Sequence, residues 1–261
     1  MHRFDNYFAY QKELARNALI PYFENHGLDL DGEKVADVGC GEGGIEAGLA
    51  ERYLKASFVC FDMNDKHIAK ARAKGISGCE FLTHSDLHQP RFANHFDLVI
   101  FREVIQSTNN PLASMEKLKT LSKPGAMIHV AFPPYHSPFG GNQHVARRSF
   151  VRFLPFVHLL PDPLFWLLVA NQKPEQEGPG SFVEGFLDEL QAIRRTKISI
   201  RRFREICRKL SLTIVSEECY FIRPAIAMRY GLPVMRNALF GRVPCLREIT
   251  TSGALYLLRK D

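Results

Sequence analysis

Apolar residues recur along this chain with two alternating periods, one helical and one strand-like. Residues from about Asn6 to His26 read as a helix, "GLDLDGEK" as a turn, and "KVADVG" as a short apolar strand entering a glycine-rich loop. "GGIEAGLAERY" continues as a helix, "SFVCFDMN" as a buried strand ending at Asp62, and "DKHIAKARAKGI" as a helix with Gly75 near its end. The alternation goes on through "CEFLTHSDL", a strand ending near Asp86, and "FDLVIFREV", a near-continuous apolar strand from Phe96 to Phe101. A helix from about Pro111 to Leu121 follows, and "KPGAMIHVAF" turns at Pro124 and Gly125 into a fifth strand ending at Phe132. Unbroken apolar strands in βαβ order imply a parallel sheet covered on both faces by helices.

After Phe132 the rhythm stops. Residues 133–197, rich in Pro, Gly, Phe and His, read as an insertion that forms a substrate lid and carries specificity. A helix around Phe203 then leads to "LTIVSEECYFI" and "GALYLLRK" as the closing strands, joined by an irregular Pro- and Arg-containing stretch. With 261 residues, one large α/β domain is expected over residues 1–261.

Composition changes this picture little: 46% hydrophobic and 24% charged residues are ordinary for a chain that folds throughout. The formal charge of +6 permits an acidic partner. Much of the excess, however, lies in "RRTKISIRRFREICRK", where Phe203, Ile206, Cys207 and Leu210 recur at helical spacing and place Arg201, Arg202, Arg204 and Arg208 on a solvated face. Six cysteines without a C-x-x-C pair argue against structural zinc and suit reduced thiols in a cytosolic protein. The N-terminus lacks the apolar stretch of a signal peptide, and prolines break "FLPFVHLLPDPLFWLLVA" into pieces too short to span a membrane.

The candidate chemistry sits in "VADVGCGEGG". Gly39, Gly41 and Gly44 spell G-x-G-x-x-G, while Asp37, Gly39, Gly41 and Gly43 spell D-x-G-x-G-x-G, so spacing alone does not choose the ligand. Asp62 at the end of the second strand suits the ribose of either NAD or S-adenosylmethionine. Asp37 discriminates: a carboxylate just before the loop repels a pyrophosphate and attracts the ammonium and sulfonium of S-adenosylmethionine. Asp86 adds an acceptor for an adenine amino group.

With "VADVGCGEGG", Asp62 in "CFDMN", Asp86 in "HSDL", "FDLVIFREVIQSTNNP" and "LSKPGAMIHVAF", the chain resembles the class I S-adenosylmethionine-dependent methyltransferases, specifically their bacterial small-molecule members. That resemblance covers about Gly32 to Phe132. It implies a doubly wound, Rossmann-like, mostly parallel sheet of seven strands, the last antiparallel. It also implies that Asp37 and the loop of Gly39, Cys40, Gly41 and Gly43 meet the methionine moiety, Asp62 the ribose, and Asp86 with Leu87 the adenine, with Met63 also in the cofactor set. Phe101 completes the cofactor set. Many relatives carry V-L-x-H after the fourth strand; here Val104-Ile105-Gln106-Ser107 puts Ser107 where a histidine often stands. "FPPY" is similar to the [DNS]-P-P-[YFW] signature of base-methylating enzymes, but it follows the fifth strand and begins with Phe132, which disfavours that activity.

Methyl transfer is an in-line displacement, so alignment and exclusion of water dominate and a general base is optional. The polar cluster "PPYHSPFGGNQH" supplies Tyr135, His136 and His144 as candidate catalytic residues, the histidines as bases. His158, within apolar sequence, reads as a core histidine. Phe153, Phe156, Phe165 and Trp166 read as packing on the rim of the sheet, with an apolar substrate pocket and a membrane surface as the other options. The expected activity is metal-independent, S-adenosylmethionine-dependent methylation of a small molecule, oxygen ahead of nitrogen or carbon. An RNA or protein methyltransferase using the basic helix, a non-catalytic S-adenosylmethionine-binding protein and a dinucleotide oxidoreductase remain as rivals; no DNA partner is expected, and the sequence does not set the oligomeric state.

Overall fold

The computed structural model describes residue 4 and residues 6–141, 151, 154–169 and 186–261. Asn6 starts the first helix, its side chain accepting the Ala9 N–H at 2.8 Å. α1 (Tyr7–Leu14) passes through a π turn (Ala15–Leu19) into α2 (Ile20–Asn25), which places Pro21 in its first turn. There follow β1 (Lys34–Val38), α3 (Gly44–Arg52), β2 (Ser57–Asp62), α4 (Asp65–Ala73), β3 (Cys79–Thr83), β4 (Phe96–Arg102), α5 (Pro111–Leu121) and β5 (Ser122–Phe132). Beyond the insertion, which contains α6 (Asp162–Val169) and α7 (Phe186–Thr196), come α8 (Ile200–Lys209), β6 (Leu212–Ile222), α9 (Pro224–Tyr230), β7 (Met235–Arg236), α10 (Pro244–Thr250) and β8 (Gly253–Lys260).

The strands form one sheet in the order β3-β2-β1-β4-β5-β8-β6-β7. β1 to β5 are mutually parallel, and β8 is antiparallel to both β5 and β6. The chain winds outward from β1 to β3, then returns to place β4 beside β1. That reversal opens a crevice at the carboxyl ends of β1 and β4, where ligands bind in open α/β sheets. One face of the sheet is covered by α1 to α4 through Tyr10, Leu14, Phe23, Ile45 and Leu49, the other by α5 and α8 through Met115, Leu118, Phe203 and Ile206.

Three expectations need correction. The sheet has eight strands rather than seven, because the stretch between β6 and β8 is itself structured: Met235 and Arg236 pair with β6 at the edge. The Asn237 amide ties this excursion down by donating to the Thr250 and Thr251 hydroxyls at 2.8 and 3.0 Å. β3 ends at Thr83 rather than near Asp86, since Asp86 turns back to accept from the Thr83 N–H and hydroxyl at 3.0 and 2.9 Å and starts a 3₁₀ turn. β5 begins at Ser122, and Pro124-Gly125 lies inside it, absorbed as a register shift against β4 with Gly125 at φ 79°.

In α8, Ile200, Phe203, Ile206 and Cys207 are buried and Arg201, Arg202 and Arg208 exposed, while Arg204 makes two 2.7 Å bonds to the Glu217 carboxylate. In the described part of the insertion, Val157, Phe165, Val169 and Leu190 form a small separate core, and the Arg194 guanidinium lies 4.2 Å from the Phe165 ring centre. Leu164 and Leu167 on α6 are exposed and Trp166 is half-buried, so only part of this apolar stripe is core. The six cysteines are free thiols. Among the described residues no helix is long and apolar enough to cross a membrane.

Candidate functional site

The glycine loop is shaped by its neighbours. Gly39 has φ +98°, and a Cβ there would stand 2.3 Å from Val104 Cγ2, so close approach of β1 to the segment after β4 requires glycine. The N–H groups of Gly39 and Cys40 both donate to the Phe61 carbonyl, at 2.7 and 3.1 Å, which fastens the loop to the end of β2. Gly41 also has positive φ, but a Cβ there would meet nothing within 4 Å, so the loop faces open space. Gly43, at φ +79°, begins α3 against the Phe81 ring.

Asp62, at the end of β2, accepts the Gly41 N–H through one oxygen and the Asn64 N–H through the other, both at 2.8 Å. Burial pushes its acidity down, but the His67 contact and these two N–H groups outweigh that and hold its pKa below the usual carboxylate range. Each oxygen of the ionised carboxylate keeps acceptor capacity, as a pair of ribose hydroxyls requires.

Asp37, the last but one residue of β1, is buried, and its one-sided environment is completed by a residue that sequence reasoning passed over, Glu46 in the first turn of α3. Glu46 is wholly buried, and neither of its oxygens receives a donor from the described residues. The group beside it is the Asp37 carboxyl, and two carboxyls set together under burial favour holding a single proton between them. Burial raises both pKa values. For Asp37, contact with Glu46 and the nearby Arg102 guanidinium oppose that rise; for Glu46, the Asp37 charge adds to it. A buried acid pair short of donors fits a cationic group, such as the ammonium of a methionine moiety, and opposes a pyrophosphate.

The remaining cofactor candidates line the same edge with different exposure. Cys40, Leu87 and Phe101 are buried, and Met63 is 80% exposed at the rim, beside Asp62. Both Asp86 oxygens are engaged, one with Thr83 and the other with the Gln89 amide at 2.7 Å.

Of the candidate catalytic residues, His136 is exposed, whereas Tyr135 is buried, its hydroxyl donating to the His158 carbonyl at 3.1 Å. His158 returns the contact through Nε2, 2.5 Å from the Tyr135 carbonyl, and is buried as a core histidine. Tyr135 thus ties the start of the insertion to its middle. His144 lies outside the described residues, as do Asn142, Gln143 and Phe153. The Ser107 hydroxyl donates to the Val104 carbonyl at 3.0 Å within a 3₁₀ turn.

Sequence reasoning also missed the charged residues at the end of β4. Arg102 and Glu103 follow an apolar run directly, and Glu103 has φ +57°, rare for a residue with a side chain. Its N–H donates to the Ala131 carbonyl at 2.8 Å, and its carboxylate pairs with the buried Arg223 guanidinium. Charge at the carboxyl end of a buried strand was the available signal.

Residues 29–145 match the model of a family described as a methyltransferase domain. Among curated proteins, a ubiquinone biosynthesis O-methyltransferase from Azoarcus sp. (strain BH72) is 30% identical over 113 residues, 42% of this chain and 47% of that protein. The chain therefore aligns with about half the length of that relative. An L-threonine 3-dehydrogenase from Legionella pneumophila (strain Corby) is 28% identical over 118 residues, 44% of this chain and 34% of that protein. Among solved structures, the plantazolicin methyltransferase BpumL in complex with SAH superposes with a TM-score of 0.53 at 11% identity, over 98% of this chain and 83% of that one. This last likeness is one of fold.

Proposed function

We propose that this chain is a class I S-adenosylmethionine-dependent methyltransferase and that it transfers a methyl group to an oxygen of a small-molecule acceptor. The observation that carries the reading is the buried Asp37–Glu46 pair behind the glycine loop, with Asp62 bound to the Gly41 N–H. When bound, the cofactor supplies an electrophilic sulfonium methyl. Asp37 and Glu46 would hold its ammonium, Asp62 its ribose, Leu87 and Met63 the faces of its adenine, and Asp86 would keep the turn beneath the base in shape. The chain's own contribution is alignment and exclusion of water. The preference for oxygen rests on the relatives named ubiquinone biosynthesis O-methyltransferase. His136, exposed on the segment after β5, is the described candidate for taking a proton from a hydroxyl acceptor, with His144 as the second candidate.

Calorimetric titration with S-adenosylmethionine, S-adenosylhomocysteine and NAD tests the cofactor, with Asp62→Ala as control. Micromolar binding of the first two, lost in the variant, supports the reading; binding of NAD alone overturns it. Release of S-adenosylhomocysteine on a panel of phenols and hydroxy acids then tests transfer to oxygen. A second reading, cofactor binding without catalysis, is favoured by one observation: Ser107, its hydroxyl bonded to Val104, stands where many relatives carry a histidine. Turnover on any acceptor removes it. The rival RNA reading predicts a strongly salt-dependent affinity through Arg201, Arg202 and Arg208.

A further inference from the structure

Beside the cofactor crevice, on the face of the sheet covered by α1 and α2, a cavity of about 40 Å³ opens between these helices and the ends of β4, β5 and β6. Its charged and imidazole lining is Arg102, Glu103, His129 and Arg223, with Tyr22 and Tyr220 beside them, and its apolar lining includes Leu14 and Leu255. Asp37 pairs in register with Ile100, so Arg102, two residues further along β4, stands on the same face just beyond the acid pair. Arg102, His129 and Arg223 of this lining each leave polar capacity unpaired among the described residues.

Arg102 has no carboxylate within ion-pair distance among the described residues; its charge is felt by Asp37, Tyr10 and His129. His129 is 1% exposed, and although its ring edge faces the Tyr256 backbone, neither ring nitrogen has a partner of hydrogen-bond geometry. Burial first, and then the Arg102 charge, lower its pKa to about 3, so it is neutral and offers one N–H. The Arg223 Nε is buried without a partner, while the other end of its guanidinium neutralises Glu103. Arg223 is held there because its stem lies across Gly253, where a Cβ would stand 2.5 Å from Arg223 Cδ.

Glu103 and Arg223 cancel, and His129 is neutral. The Asp37–Glu46 pair, sharing one proton, is matched by Arg102 only while no cation lies against it. Resting on the proposed function, an ammonium at Asp37 leaves Arg102 as a half-buried positive charge with no partner carboxylate, beside the buried donors of His129 and Arg223. Such a group is satisfied by an anion. The cavity holds about the volume of one or two waters, enough for a carboxylate and too little for a ring. We infer that this cavity is the acceptor's anion subsite: Arg102 takes a carboxylate of the methyl acceptor, and the acceptor's apolar body extends over the carboxyl end of β4. The acceptor class is therefore a hydroxy acid or carboxylated phenol.

The test uses benzoate and benzamide as probes, titrated by calorimetry into the protein saturated with S-adenosylhomocysteine. Wild type should bind benzoate at least about tenfold more tightly than benzamide. Arg102→Met should abolish the difference and leave S-adenosylhomocysteine affinity within about threefold, while Arg102→Lys should keep part of the preference for benzoate. Equal binding of the two probes, or no benzoate binding to the loaded wild type, overturns the inference alone. So does a loss of S-adenosylhomocysteine affinity in Arg102→Met with benzoate competing against it, because the guanidinium then holds the methionine carboxylate. Failure of wild type to bind S-adenosylhomocysteine at all overturns the cofactor reading and this inference with it.

Discussion

The proton shared by Asp37 and Glu46 makes stability depend on pH in a direction that can be worked from the structure. Both carboxyls are buried, Glu46 finds no donor besides Asp37, and burial raises both pKa values, that of Glu46 well above its usual one. Unfolded, both groups are ionised above about pH 4.5. Folded, the pair keeps one proton well above that, so the native state binds more protons than the unfolded one and loses stability as pH rises. A difference of one proton is worth about 1.4 kcal/mol per pH unit. Glu46→Gln keeps the shape, donates an N–H to Asp37 at every pH and removes the linkage. Between about pH 5 and pH 7 the variant should gain up to about 2.7 kcal/mol on wild type. At roughly 2–4 °C per kcal/mol for a chain of this size, the gap between their melting temperatures should widen by about 5–10 °C. The measurement is thermal unfolding of both proteins without cofactor at constant ionic strength, and the difference between them cancels every other titrating group. Parallel curves would refute the shared proton.

An ammonium placed against the singly protonated pair should leave that proton in place, its charge matched by the one ionised carboxylate. Calorimetric titration of S-adenosylhomocysteine in two buffers of different ionisation enthalpy should then give equal heats; proton release would show the pair doubly ionised against the ammonium, with Arg102 already matched. Gly39→Ala should cost about 1–2 kcal/mol for the positive φ and a further 1–3 for the clash with Val104; adding Val104→Ala should recover the second part only, read from melting temperatures. Tyr135→Phe removes one hydrogen bond to the His158 carbonyl and should cost about 0.5–1.5 kcal/mol of stability with turnover little changed; a loss of turnover at unchanged melting temperature would make its hydroxyl catalytic.

The glycine loop and the carboxylate that fastens it were legible in the sequence because their physics is local. Gly39 and Gly43 announce positive φ within a few residues of the strand they terminate, and Asp62 closes an apolar run whose period needs no partner to be read. β7 was not legible, since two residues carry no alternation and are a strand only because Tyr220 and Ile222 present an edge. Asp86 was half legible: its place after β3 was visible, but the capping contact with Thr83 that ends the strand early competes with extension at a range no hydrophobic pattern reports.

The acceptor side depends on residues far apart in the chain, where single-residue reasoning chooses by type. Histidine and tyrosine in a glycine-rich run suggested catalysis, yet Tyr135 uses its hydroxyl to hold the insertion together. His129 is one polar residue in an apolar strand, and Arg223 opens the irregular Pro- and Arg-containing connection. They reach the same cavity because β5, β8 and β6 are adjacent in the sheet, an order set by the antiparallel return of β8 between two strands that run the other way. A charge whose partner lies 120 residues away, as Glu103 lies from Arg223, leaves its trace in the sequence only as a carboxylate where an apolar strand ends. Charged residues at the carboxyl ends of buried strands are therefore the positions from which to reason toward an acceptor, ahead of histidines in loops. The burial of the strand fixes where such a side chain emerges, and the cost of leaving it unmatched limits what it can face.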